Sequence, residues 1–66
     1  MTNEQKQDMI KIVKTKLETV ICFAKSDLEF PEDEISEKNV EILKQDIERG
    51  INILLGAKEI LGKMQH

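Results

Sequence analysis

Pro31 is the only proline among 66 residues, and it divides the chain into two stretches that each have the length and periodicity of a long helix. Proline lacks a backbone N–H and disfavours helical geometry at the residue before it, so a helix entering from the N-terminal side has to stop near Glu29. Residues 3–30 contain neither Gly nor Pro. Thr2 with Gln5 three residues later forms a capping-box pattern at the start of this stretch. On the other side of Pro31, Ser36 is a good N-cap, and Ile35 and Val40 take the two positions of a hydrophobic staple around it. Glu32, Asp33, Glu34 and Glu37 crowd the same helix start, where carboxylates complement the helix dipole. The expectation is all-α: an antiparallel two-helix hairpin of one domain, residues 1–66, with a first helix at about 3–29, an acidic turn at 30–36 and a second helix at about 37–64.

Gly50, Gly56 and Gly62 interrupt the second stretch, each costing roughly 1 kcal/mol relative to alanine. The apolar phase nevertheless holds across Gly50. Val40, Leu43, Ile47, Ile51, Leu54 and Leu61 stay on one stripe, and a true break would reset it. One continuous helix is therefore expected.

Each helix carries two apolar stripes on a wheel at about 100° per residue. In the first helix Ile10, Val13, Leu17, Val20, Ile21, Ala24 and Leu28 form the richer one. Pairing it with the richer stripe of the second helix puts Val20 near Ile47, Leu17 near Gly50 and Ile51, and Val13 near Leu54. Met9, Ile12 and Phe23, with Ile42, Ile53 and Ile60, lie on the flank of that expected seam. A lone hairpin would leave such a flank in water as an elongated apolar patch, which soluble monomers rarely do. The expected outcome is burial of Met9, Ile12, Phe23, Ile42, Ile53 and Ile60 between protomers of a homodimeric four-helix bundle or a higher helical oligomer.

Small size points the same way, because chains this short bury only about 60% of their unfolded surface and need reinforcement. Cys22 is the only cysteine and His66 the only histidine. An internal disulfide and a Cys/His zinc site are therefore excluded by ligand count, and a reducing, cytoplasmic setting is expected. No apolar run approaches the ~20 residues that cross a bilayer, and the polar N-terminus does not resemble a signal peptide. Cys22 has no histidine to activate it and reads as a spectator thiol.

Charge is segregated along the chain. Residues 1–26 carry a net +2, residues 27–49 a net −6 and residues 50–66 a net +1. A hairpin brings the two basic segments together at its open end and leaves the acids at its turn. The acidic stretch lacks the glycine and the alternating acids of an EF-hand loop, so a solvated turn is the reading for it. Net charge −3 and the absence of Trp and Tyr argue against general nucleic-acid binding. Lys58 falls on the richer stripe between Leu54 and Leu61, where its stem can lie along the core and its ammonium reach water. With Lys6 and Lys14 it is the candidate contact for an anionic small ligand at the open end.

The hairpin resembles the short aspartyl-phosphate phosphatases of sporulation, yet their SxxxD element is missing: Ser26 is followed at that spacing by Phe30, and Ser36 by Val40. In size and shape the chain is also similar to compact helical proteins that phages use against bacterial defences. Some of those oligomerise and sequester cyclic nucleotide signals, and others bind a defence protein. That similarity rests on shape, not on a motif. With no nucleophile–base pair in the sequence, the expectation is a non-enzyme with no cofactor: a regulatory interaction module that self-associates and binds a protein partner. The alternative it sets up is an anti-defence protein that sequesters a phosphorylated, cyclic nucleotide-like ligand in a basic pocket between protomers, in the host cytoplasm if phage-encoded.

Overall fold

A computed structural model describes residues 1–65, leaving His66 outside. The described residues form two helices and no strand: α1 spans Asn3–Leu28 and α2 spans Glu37–Lys63. Both helix starts follow from local hydrogen bonding. The Gln5 backbone N–H donates to Thr2 Oγ1 at 3.2 Å, and the Thr2 N–H donates to Gln5 Oε1 at 2.9 Å, so the capping box is complete. At α2 the Asn39 N–H donates to Ser36 Oγ at 3.1 Å, and the Asn39 side-chain amide ties back to the Glu34 carbonyl at 3.1 Å. Ile35 stays 84% exposed, so the staple with Val40 covers little surface. Between the helices, the Glu34 N–H closes a turn onto the Pro31 carbonyl at 3.3 Å. α2 runs unbroken through Gly50 and Gly56.

The helices pack antiparallel along a seam with strict spacing. The half-buried or buried residues of α1 and its exit are Met9, Val13, Lys16, Val20, Phe23, Asp27 and Phe30, with Ile10 beside them. Those of α2 are Asn39, Leu43, Asp46, Gly50, Ile53, Ala57, Ile60 and Met64, with Gly56 beside them. Steps of four and three alternate without exception through both seam sets, which is the seam pattern of a two-helix coiled coil. Val13 and Ala57 are the most enclosed side chains, at 7% and 5% exposure.

This seam is not the one the richer apolar stripes favoured. It lies about 80° around each helix from them on the wheel. Met9, Phe23, Ile53 and Ile60, expected between protomers, pack inside the hairpin, whereas Ile12 and Ile42 remain exposed. Conversely Leu17, Ile21, Leu28, Val40, Ile47, Ile51, Leu54 and Leu61 are all exposed, Leu28 to 85% and Ile47 to 62%. The register also differs by about a turn. A Cβ placed at Gly50 would lie 4.0 Å from Val20 Cγ1, so Val20 occupies the place expected for Leu17. The physical reason is the spacing itself. The seam positions of both helices keep an unbroken alternation of four- and three-residue steps, and the small residues Gly50 and Ala57 are among those it encloses.

The 4.0 Å clearance at Gly50 is ordinary van der Waals contact, and nothing lies within 4 Å of a Cβ at Gly62. Gly50→Ala and Gly62→Ala should therefore each stabilise by up to about 1 kcal/mol through helix propensity, raising Tm by roughly 4–8 °C for a domain this small. Gly50→Leu should overpack the seam and lower Tm. Circular-dichroism melts at one fixed protein concentration check all three.

Candidate interaction surface

The stripe displaced from the seam does not scatter over the surface. In antiparallel helices, an equal rotation of both stripes away from the seam turns them toward the same side of the hairpin. There Val20, Ala24 and Leu28 of α1 face Ile47, Ile51 and Leu54 of α2 across a shallow groove of about 460 Å³. Phe23, Asp27, Asp46 and Gly50 complete its lining. The walls are almost wholly aliphatic. Leu17 and Ile21 extend the same row on α1, and Val40 and Leu61 extend it on α2, so the apolar face runs most of the length of the molecule.

The rod shape leaves this face no cover among the described residues. Principal extents are 51 × 16 × 12 Å and the radius of gyration is 15.7 Å, against about 11 Å for a compact chain of this length. The surface area is 5632 Å², where a compact protein of 7.6 kDa would expose about 4,300 Å².

Two polar features sit on the seam beside the groove, and neither was apparent from sequence. Asp27 and Asp46 meet across the helices. Partial burial, a shared hydrogen bond between the two carboxyls and their mutual repulsion raise the Asp27 pKa above its ordinary value. One turn away, the Arg49 guanidinium lies 5.5 Å from the centre of the Phe23 ring, a cation–π contact worth about 0.5–1 kcal/mol at an exposed site. Farther toward the open end, Lys16 is half-buried and crosses α2 over Gly56, its Nζ 3.8 Å from where a Cβ would stand. A residue between apolar neighbours at seam spacing was the available signal for Lys16. The aspartates carried no such signal, because their pairing depends on the register.

The candidate ligand contacts are divided between the helices. Lys6 and Lys14 share a shallow, open surface of α1 with Asn3, Gln7, Ile10 and Lys11, while Lys58 is exposed on α2. Cys22 is exposed. Among the described residues, no cluster of His, Cys, Asp and Glu has the makings of a metal site, and no helix is long and apolar enough to cross a membrane. Comparison with protein-family models, curated proteins and solved structures finds no match for the chain.

Because the Asp27 pKa is raised in the folded state, the fold holds that proton more tightly than the unfolded chain does. Its contribution to stability is therefore fully present below the ordinary carboxylate range and is lost as pH rises through the raised value. Asp27→Asn should melt higher than wild type at pH 7, and the gap should close as pH falls toward about 4, the ordinary range for Asp. Paired melts across that pH range test the sign.

Proposed function

We propose that this chain is a non-catalytic interaction module that works as a homo-oligomer, presenting a protein-binding surface once assembled. One observation carries the reading: the most aliphatic face of both helices is turned outward, along the whole hairpin, while a more polar and smaller-residue face makes the intrachain seam. Apolar surface of this extent is the mark of an interface in a soluble protein. Burying even half of a leucine or isoleucine side chain contributes on the order of 1 kcal/mol, and eight large aliphatic side chains are available for it. The residues expected between protomers from sequence are thereby reassigned: Ile47, Ile51 and Leu54 are the better anchors than Ile53 and Ile60.

A second reading keeps the chain as a carrier that sequesters a phosphorylated small ligand, and what favours it is the gathering of Lys6, Lys11 and Lys14 on one surface of α1. A ligand present at 100 times its Kd stabilises by about 2.7 kcal/mol, so melts against a panel of nucleotides and cyclic nucleotides decide it. A rise in Tm that Lys6→Ala or Lys58→Ala diminishes supports that reading, and no shift anywhere in the panel removes it.

For the leading reading, the wild type should sediment well above 7.6 kDa at micromolar concentration. Ile47→Glu should dissociate it and reduce helicity, because a charge would replace a central aliphatic contact. Leu55→Glu, on the back of α2 by its wheel position, should leave both unchanged. A wild type that is monomeric and fully helical at those concentrations overturns the proposal.

A further inference from the structure

We infer that the occupant of the apolar groove is a second copy of this chain laid antiparallel to the first, apolar face on apolar face, with the open half of each copy over the groove of the other, about a two-fold axis perpendicular to the hairpin. The inference rests on the homo-oligomer reading and adds to it a partner face and a direction.

Eight large aliphatic side chains of this face stand exposed on the single chain, and apolar surface of that kind is what a second copy would cover. Its shape fits a second copy. Two parallel ridges of aliphatic side chains flanking a trough are complementary to another pair of ridges, and an isologous contact of this kind closes on itself. On α1, Leu17, Ile21, Ala24 and Leu28 repeat at spacings of four and three, and Ile47, Ile51 and Leu54 do the same on α2. That is the spacing by which helices of different chains interdigitate.

Charge sets the direction. The turn half of the hairpin, residues 16–49, carries a net −5, and the open half, residues 1–15 and 50–66, a net +2. Parallel stacking would place two such acidic ends side by side. Antiparallel stacking brings the open end of one copy, with Lys6 and Lys11, beside the turn of the other, with Glu29, Glu32 and Glu34. The axis crosses the face near Leu17 and Leu54, which lie midway along their helices, so each end of one copy reaches the opposite end of its mate.

Pulsed dipolar spectroscopy reads this arrangement directly. Spin labels are placed at Glu34→Cys in the turn or at Gln7→Cys near the open end, both in a Cys22→Ser background, after circular dichroism confirms wild-type helicity. With Glu34 labelled alone, the turns should lie about 40 Å or more apart, since helices rise about 1.5 Å per residue along the rod. Gln7 labels alone should lie about 30 Å apart, ten residues from the axis on each copy. A mixture of the two labelled proteins should show a new population at about 20 Å, the scale of adjacent packed helices plus label arms. A short distance between Glu34 labels in a sample that sediments as an oligomer overturns the antiparallel arrangement and leaves self-association standing. A labelled protein with no dipolar coupling, matched by a wild type that sediments as a monomer, overturns both.

Discussion

The seam that α1 and α2 share through Val13, Gly50 and Ala57 governs the rest of the molecule. Two helices pack face to face where their backbones can approach, and Ala57 is among the most enclosed residues of the protein. Choosing that contact commits each helix to a rotation about its axis. Leu43, Val13, Val20, Phe23 and Ile53 then fall inside, and Leu17, Ile21, Ile47, Ile51 and Leu54 fall outside. The polar positions on the seam follow from the same rotation. Lys16 fits because Gly56 opposite it leaves room for its stem, and Asn39 fits because it serves as a cap tie to Glu34.

A seam of this kind is thin. It runs along one line between two rods, with Val13 and Ala57 as its buried side chains, so it orders the helices relative to one another more than it encloses a core. Isolated helices gain little stability from propensity alone and depend on packing of an apolar face. Here the larger apolar face is the one still open. Under the proposed self-association, folding and association would draw on the same surface, a usual reinforcement for chains too short to close a core on their own.

Electrostatics follow the architecture. The acids concentrate at the turn because helix starts and a solvated loop favour them, and the hairpin carries that charge to one end of a 51 Å rod. Asp27 and Asp46 are half-buried, unlike the acids of the turn. They meet on the seam next to the groove, where partial burial and the facing carboxyl raise the Asp27 pKa.

The sequence by itself determined the elements: Thr2 and Gln5 start α1, Pro31 ends its stretch, Ser36 starts α2, and unbroken apolar phase carries α2 through Gly50. These are short-range effects, set by hydrogen bonds and steric limits within a few residues. It determined as well that each helix has two apolar stripes, because side-chain chemistry and the 3.6-residue repeat suffice for that. Which stripe faces inward was decided only in the tertiary structure. Hydrophobicity ranked the leucine- and isoleucine-rich stripe first, but helix packing is a property of the pair, and the stripe with Gly50 and Ala57 is the one that makes the contact. The meeting of Asp27 with Asp46, the stacking of Arg49 on Phe23 and the passage of Lys16 over Gly56 depend on the register between the helices, which neither helix encodes alone.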